Sequence, residues 1–582
     1  MDPLVVLKEK FGYDEFRQGQ KEIIAAVLNG ENILGIMPTG GGKSICYQLP
    51  ALLLDGLTLV ISPLISLMKD QVDALNEMGI SATFINSSLD FSEIKQRLHL
   101  AMSGQVKLLY VAPERLESLE FQRLLQSVPI TLLAVDEAHC ISSWGHDFRP
   151  SYLKLSEVIQ QFAQRPTVIA LTATATPQVA ADILERLAIA PENKVVTGFE
   201  RENLAFQVVK EAKDTYLLEY IKLNAKQAGI IYASTRKEVE RITNLLQSKN
   251  YRVTKYHGGL SERERSQNQE DFLFDRVQVM VATNAFGMGI NKSNVRYVIH
   301  AQIPGNLEAY YQEAGRAGRD GLPSEAVLLY APNDIQIQQY FIDQSEMEFE
   351  RKQNEYLKLR EMNNYAHAQQ CLQRYILRYF GEEGSDCGHC SNCLDTREQV
   401  DITLDTQKVL SCVKRMGERF GKGLIGKVLT GSKDKKVSQW QFEQLPTYGL
   451  LKARGQSEVI QLIDYLTAEG YLQPSEGQFP ILSLSNRGIA VLLGQEKVWR
   501  KQVKLKSLTT DDAVFEALRA LRTELAQEQN LPPYLIFSDK TLQEMATYLP
   551  QNKIELLRIK GVGQNKLDKY GALFLAVLQK ET

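Results

Sequence analysis

Nothing in the 582 residues stays apolar long enough to cross a membrane. The most apolar stretch, Leu49 to Met68, is interrupted by Asp55, Gly56, Ser62 and Pro63, whereas a span needs about 20 nearly unbroken apolar residues. It reads instead as a buried helix followed by a strand. No export signal is expected either: Met1 to Tyr13 carries Asp2 and alternating Lys and Glu where a basic and then an apolar region belong. Charge of one sign is also lacking, since 67 basic against 70 acidic residues leave −3. That excludes a uniformly basic nucleic-acid coat, so any polyanion must be met by local patches. Cysteines number only seven, and four of them crowd between Cys371 and Cys393, which argues against a disulfide framework. What remains is ordinary globular composition, 44% hydrophobic, without repeats or low-complexity tracts. At roughly 150 residues per domain the length accommodates about four domains.

Between residues 30 and 335, short β-branched or Leu-rich runs alternate with longer amphipathic stretches, the pattern of βαβ units in parallel sheets. One set of strands is expected at Asn32 to Met37, Leu57 to Ser62, Lys107 to Val111, Leu132 to Val135 and Thr167 to Leu171. A second set is expected at Gly229 to Ala233, Arg252 to Tyr256, Val277 to Ala282, Arg296 to His300 and Glu325 to Tyr330, with a hinge over Gly198 to Ala205. The strand pattern vanishes from Asp334 to Glu382, marking a boundary. Helical runs then lead to a hairpin over Gly470 to Gly488, where Gly477 and Pro480 interrupt apolar residues, as in a winged helix. Asp511 to Thr582 reads as helices separated by Leu531 to Pro533 and by a turn at Gly561 to Gly563.

Three clusters carry chemistry. Met37 to Ser44, MPTGGGKS, follows an apolar strand and opens a helix, the setting in which backbone N–H groups wrap a triphosphate. Lys43 would touch the β- and γ-phosphates and Ser44 would hold Mg²⁺, while Gly40, Gly41 and Gly42 permit close approach beside Pro38 and Thr39. Met37 departs from the strict pattern, which has Gly there. Asp136, Glu137, Ala138 and His139 emerge from the run Leu132 to Val135, at a strand's carboxyl end where ligands of α/β sheets bind. Asp136 can bind Mg²⁺, and Glu137 can orient or deprotonate the attacking water. Finally, Cys387, Cys390 and Cys393 form C-x₂-C-x₂-C with Cys371 sixteen residues upstream, so four thiolates can converge on Zn²⁺. An iron–sulfur cluster is the other group such a set can hold. Cys46, Cys140 and Cys412 lack partners and read as small core residues.

Phosphate loop plus DEAH resembles the superfamily 2 helicases, and DEAHCISSWGHDFRP at Asp136 to Pro150 narrows the resemblance to the RecQ family of DNA helicases. FGYDEFRQGQ at Phe11 to Gln20, SPLISLMKDQV at Ser62 to Val72, YVAPERL at Tyr110 to Leu116 and LTATATP at Leu171 to Pro177 agree with it. So do ATNAFGMGINKSNVR at Ala282 to Arg296 and YYQEAGRAGRDG at Tyr310 to Gly321. The resemblance implies that Tyr13 stacks on adenine while Arg17 and Gln20 bond its edge, and that Trp144, Phe148 and Arg149 form a DNA-sensing loop. It implies catalytic roles for His139, Gln312 and Arg316, with Arg319 as the finger that meets the γ-phosphate. Trp and Phe offer stacking faces for bases and Arg a phosphate clamp.

The resemblance also covers the rest of the chain. CLQRYILRYFGE and DCGHCSNC are similar to the family's zinc module; His389 could replace a ligand, but its position between cysteines reads as a spacer. Lys414 to Lys436 carries eight basic residues against Glu418 and Asp434, a patch suited to duplex phosphates. Its placement and LPTYGLL at Leu445 to Leu451 resemble the family's winged-helix domain. LPPYLIFSDKTL at Leu531 to Leu542 and IKGVGQNKLDKYG at Ile559 to Gly571 resemble the helical HRDC module, with Lys553, Arg558, Lys560, Lys566 and Lys569 as its basic residues.

The expected architecture is α/β: two tandem RecA-like parallel-sheet lobes at 1–198 and 199–338, a zinc module at 339–400, a winged helix at 401–505 and an all-α HRDC domain at 506–582. The implied activity is unwinding of duplex DNA in recombination and repair by an ATP- and Mg²⁺-dependent 3′ to 5′ walk along single-stranded DNA. The implied setting is the cytoplasm, at the nucleoid, as a monomer on single-stranded and forked DNA, with single-strand-binding protein as a partner. Rival readings are an RNA-directed helicase, a duplex translocase, or a zinc and winged-helix regulator with a degenerate ATPase.

Overall fold

The computed structural model describes all residues except 1, 64, 87–88, 127, 163, 211, 288–291, 476–479, 502–511, 530–535, 538, 560 and 581–582. Residues 288–291 of the Ala282 to Arg296 string, the hairpin residue Gly477, the break at Leu531 to Pro533 and Lys560 therefore lie outside the described residues. The chain divides into two compact units, Met1–Thr396 with Thr403–Val498, and Arg397–Ile402 with Trp499–Thr582.

The first unit contains two parallel sheets. One has seven strands, β1 (Ile33–Ile36), β2 (Leu57–Ile61), β3 (Ala82–Ile85), β4 (Leu108–Val111), β5 (Ile130–Val135), β6 (Thr167–Thr172) and β7 (Lys194–Val196), in the order β3-β4-β2-β5-β6-β1-β7. The other has six, β8 (Leu204–Val209), β9 (Ala228–Tyr232), β10 (Val253–Tyr256), β11 (Val279–Ala282), β12 (Val295–His300) and β13 (Ser324–Leu329), in the order β10-β11-β9-β12-β13-β8. Strands β1, β2, β4, β9 and β11 are buried along their whole length. They read as continuous apolar runs because helices cover both faces of a parallel sheet.

Every strand expected from the alternating runs is present, with ends moved by a residue or two. In these two sheets, three further strands were not expected. β3 and β7 are edge strands of three or four residues, and β7 is exposed at both ends, so neither makes an apolar run. β8 starts at Leu204, so the expected hinge over Gly198 to Ala205 ends at Asn203 and its last two residues enter the second sheet.

After the second sheet come the helices Asn333–Gln344, Phe349–His367 and Leu372–Tyr379. The winged-helix segment has helices Thr403–Arg415, Lys422–Leu429, Lys435–Gln439, Gln456–Ala468 and Asn486–Leu492. Between the last two, a strand at Leu472–Pro474 pairs antiparallel with one at Leu482–Leu484, the expected hairpin.

In the second unit, Gln399–Asp401 pairs antiparallel with Trp499–Lys501. Its helices are Asp512–Glu528, Asp539–Tyr548, Lys553–Leu557 and Gln564–Lys580, packed on a core that includes Leu518, Phe537, Met545 and Phe574. Lys553, Arg558 and Lys569 are exposed there.

Candidate active site and zinc centre

The carboxyl ends of β1 and β5 open into the site, and β6 lies between them in the sheet. Thr172, the last residue of β6, ties the two ends together. Its carbonyl accepts from the Met37 N–H at 3.0 Å, and its hydroxyl meets His139 Nδ1 at 2.9 Å. Met37 stands where the strict loop has glycine because its side chain is turned inward: it is 1% exposed, with its sulfur 3.8 Å from Cys46 Sγ. Gly40 and Gly42 have φ of +87° and +79°, a region costly for any side chain. Gly41 N–H closes the turn onto the Pro38 carbonyl at 3.0 Å.

Two helix-entry residues brace this loop. Arg17 Nη1 donates to the Gly40 carbonyl, and Gln20 Nε2 donates to the Gly42 carbonyl at 3.0 Å while its Oε1 accepts from the Arg17 N–H at 2.9 Å. Both residues implied to bond adenine thus spend donors on the phosphate loop. Tyr13 is 49% exposed.

Lys43 Nζ donates to the Met37 carbonyl at 3.3 Å. Desolvation lowers its pKa, Glu137 and Asp136 raise it, and Arg319 lowers it, so these four charges share one small volume. Desolvation, then the neighbouring Glu137, push the Asp136 carboxyl up to about 7 against the pull of Lys43. Glu137 sits at φ +48°, a strained position for a side chain, and its Oε2 is buried without a hydrogen-bond partner, 3.4 Å from His139 Nδ1. Two carboxylates crowded in this way, one with an orphaned oxygen, fit a site built for a cation and a water. Ser44, which opens the helix after the loop, belongs to the same end of the sheet.

The second lobe brings two arginines. Arg316 Nη1 donates to the Gly287 carbonyl within its own lobe, and a Cβ on Gly287 would lie 2.7 Å from that guanidinium. Arg319 instead lies across the cleft against the phosphate loop, its Cγ 3.6 Å from where a Gly40 Cβ would be. Burial, then Arg316, lower its pKa to about 9. Gln312 Oε1 meets His146 Nε2 at 3.4 Å.

Sequence reasoning missed Arg201. Nearly buried in the hinge, it donates through Nη1 to the carbonyls of Thr39 at 3.4 Å and Gly315 at 3.3 Å, and through Nη2 to Ala317 at 3.0 Å and Gly318 at 3.4 Å. It therefore joins the phosphate loop to the segment that carries both arginines. The run Phe199–Leu204 offers no motif for this role, because its partners are more than 100 residues away.

The loop after DEAH presents Trp144, 44% exposed, and a half-buried Phe148. Arg149 faces inward, donating to the Pro63 carbonyl at 3.0 Å and to Asp147 Oδ2 at 3.3 Å. It ties the loop to the Ser62 to Val72 string.

The sulfurs of Cys371, Cys387, Cys390 and Cys393 all lie within 4.8 Å of one another, with Cys371 and Cys390 at 3.9 Å. Tetrahedral Zn–S bonds of about 2.3 Å require sulfurs about 3.8 Å apart, so the four fit Zn²⁺. Backbone N–H groups of Cys387, Leu372 and Cys393 donate to these sulfurs at 3.3 to 3.4 Å, which favours thiolates. His389 Nδ1 is 2.7 Å from the Cys387 carbonyl oxygen, and the ring stands outside the group of four.

In the winged-helix segment Lys414, Lys422 and Lys427 pair with Glu418, Asp464 and Asp434. Arg415, Arg419, Lys433, Lys435 and Lys436 are exposed.

Two parallel-sheet lobes with a phosphate loop and paired carboxylates on one and an arginine reaching in from the other define a two-lobed motor driven by nucleoside triphosphate. Family models match in sequence along the chain: DEAD/DEAH box helicase at residues 17–183, helicase conserved C-terminal domain at 212–321, RecQ zinc-binding at 332–394, RQC domain at 396–509 and HRDC domain at 511–578. The ATP-dependent DNA helicase RecQ of Bacillus subtilis is 53% identical over 578 residues, covering 99% of this chain and 98% of that one. The proteins of that name from Haemophilus influenzae and Pasteurella multocida are each 42% identical, covering 99% of this chain and 96% and 93% of theirs. The chain belongs to the RecQ family of ATP-dependent DNA helicases.

Proposed function

We propose that this chain walks 3′ to 5′ along single-stranded DNA and parts the duplex ahead of it, with each step driven by hydrolysis of one ATP between the two lobes. The observation that carries this reading is the packing of Arg319, from the second lobe, against Gly40 of the phosphate-binding loop that Lys43 bonds at the Met37 carbonyl, with Asp136 and Glu137 near enough to act on the charge of Lys43. Lys43 and the loop's N–H groups hold the triphosphate, Glu137 takes the proton of the attacking water, and Arg319 meets the charge that develops on the γ-phosphate. Ser44 and Asp136 would hold Mg²⁺, which would supply neutralisation of the triphosphate's charge. Arg316 and Gln312 brace the second lobe's face of the site, and His139 links it to β6.

Trp144 and Phe148 are read as the surface that meets the single strand, and the exposed basic residues of the winged helix as the surface that meets the duplex. Cys371, Cys387, Cys390 and Cys393 would hold Zn²⁺, which would cross-link the start of helix Leu372–Tyr379 to the Cys387–Cys393 loop. Both halves of the ATP site come from one chain, which supports a monomer. Work on chromosomal DNA supports a cytoplasmic, nucleoid place and a single-strand-binding protein as partner. The partition at 198, 338, 400 and 505 stands as the proposed domain scheme.

Unwinding of duplexes with 3′ or 5′ single-stranded tails, alongside ATPase measured with DNA, with RNA and without either, tests the reading. Opening of the 3′-tailed duplex alone, with DNA-stimulated ATPase, is the expected result. Preference for the 5′ tail overturns the direction, and stimulation by RNA alone overturns the substrate.

A further inference from the structure

Helix Phe349–His367 belongs to the zinc module, yet it reaches the loop that carries Trp144 and Phe148. It is strongly charged, and one of its lysines is buried: Lys358 is 6% exposed. A buried ammonium is costly unless paired. Lys358 Nζ donates to the Trp144 carbonyl at 2.6 Å and lies 3.8 Å from Glu308 Oε1 and 3.8 Å from Glu355 Oε1. Glu308 is itself buried, on helix Leu307–Ala314, which carries Gln312 and leads into Arg316. Seven residues before Lys358, on the same helix face, the Arg351 guanidinium stands 4.8 Å from the centre of the Phe148 ring. One helix face thus grips both aromatic residues, Trp144 by its backbone and Phe148 by its ring, and leaves the Trp144 ring exposed. The helix end is fixed in turn by the zinc loop, where Asn392 Nδ2 donates to the Ala368 and Gln370 carbonyls at 2.8 Å each.

We propose that Lys358 is a positioning residue for DNA-stimulated hydrolysis, a junction through which the aromatic loop of the first lobe, the Gln312 helix of the second, which leads into Arg316, and the zinc module move together. A shift of the loop on DNA changes how the ammonium is shared between the Trp144 carbonyl and Glu308, and so biases the helix that leads into Arg316. The zinc module then has a part in coupling as well as in folding. The inference rests on the reading of the loop as the single-strand contact.

The test uses the full chain carrying Lys358→Met, which keeps the stem and removes the charge, and Lys358→Arg. Zinc content, ATPase without DNA, stimulation by oligo-dT and oligo-dT affinity are measured for each. For Lys358→Met the expected result is one zinc per chain, DNA-free ATPase and oligo-dT affinity within about twofold of wild type, and stimulation reduced by about tenfold, with partial rescue in Lys358→Arg. The double variant with Trp144→Ala should lose no more stimulation than Trp144→Ala alone. Wild-type stimulation in Lys358→Met, additive losses in the double variant, or loss of zinc together with DNA-free ATPase would each overturn the proposal. Should Lys358→Met not fold, Arg351→Gln replaces it: a selective loss of stimulation supports the junction, and an unchanged value overturns it. If Trp144→Ala itself keeps full stimulation, the reading of the loop falls. If it loses stimulation while Lys358→Met does not, only the junction falls.

Discussion

The imidazoles of His139 and His146 lie stacked, their centroids 4.4 Å apart and their planes 11° from parallel. One belongs to the DEAH string and the other to the aromatic loop, so the stack carries contact from Glu137 and Thr172 on the first side to Gln312 of the second lobe on the other. Two imidazolium ions could not share this arrangement. Burial first, with Lys43, Lys358 and Arg149 opposing a charge on His139 and His139 itself opposing one on His146, lowers each pKa to about 4; Asp147 and Glu308 pull the other way.

The stack should make the fold acid-sensitive. A histidine that titrates near 6.5 unfolded and near 4 folded leaves the unfolded chain holding the extra proton between those values. Stability is therefore full above about pH 6.5 and falls as pH drops toward 4, by up to about 1.4 kcal/mol per pH unit for each ring. Asp136, raised to about 7, contributes the opposite slope, so the readout is the difference between wild type and His146→Gln in urea unfolding. Wild type should lose its margin over the variant from pH 7 to pH 4.5. A margin independent of pH would show that His146 is not held neutral.

Arg319 and Arg316 should separate in kinetics. Arg319 packs on Gly40 of the phosphate loop, while Arg316 is bonded to Gly287 of its own lobe. Arg319→Ala should lower kcat roughly 1,000-fold with ATP binding little changed, as for a finger that acts on transition-state charge, and Arg319→Lys should recover little because the planar fork is lost. Lys43→Ala should abolish DNA-stimulated turnover while DNA binding survives. Steady-state ATPase with equilibrium nucleotide binding checks both, and a normal kcat in Arg319→Ala would move the finger role to Arg316.

How much of this was readable in advance depended on whether a feature is contiguous. The phosphate loop, the DEAH turn and C-x₂-C-x₂-C each lie within ten residues, and their spacing alone dictates which backbone or thiol groups converge. The ten expected strands were legible because burial on both faces makes apolar runs, whereas edge strand Lys194–Val196, with only Val195 buried, makes none. Arg201, Lys358 and the stack of His146 on His139 left no mark, because each gains its meaning from a partner that only the tertiary fold supplies. Arg17 and Gln20 left no sign in the sequence of a second contact, the bonds their donors make to carbonyls of the phosphate loop.

Arg201 should report on how the lobes close. Its guanidinium spans the Thr39 carbonyl of one lobe and the Gly315, Ala317 and Gly318 carbonyls of the other. Lysine keeps the charge but cannot fork to four acceptors. Arg201→Lys should reduce kcat by roughly tenfold or more with KM for ATP and DNA affinity near wild type, since it disturbs the register of Arg319 and not the binding groups. A raised KM with unchanged kcat would place Arg201 in nucleotide binding instead.

The zinc centre gives the last prediction, because its geometry leaves no room for a reacting water. Four sulfurs within 4.8 Å of one another fill a tetrahedral shell, and backbone N–H groups at 3.3 to 3.4 Å occupy the outer face of the sulfurs. Cys390 is fully buried at the centre of this net, accepting from the Leu372 and Cys393 N–H groups. Cys390→Ser should cost the chain its single zinc and leave the 371–393 segment open to proteases, because the metal's binding energy is folding energy for that segment. ATPase in the absence of DNA should survive far better than its stimulation by DNA, since Lys43, Asp136 and Glu137 lie in the first lobe while the aromatic loop leans on the zinc module's helix. Metal analysis and limited proteolysis of wild type and variant check the first point, and ATPase with and without oligo-dT checks the second. Iron in place of zinc, or stoichiometric zinc retained by Cys390→Ser, would contradict the assignment of the four thiolates.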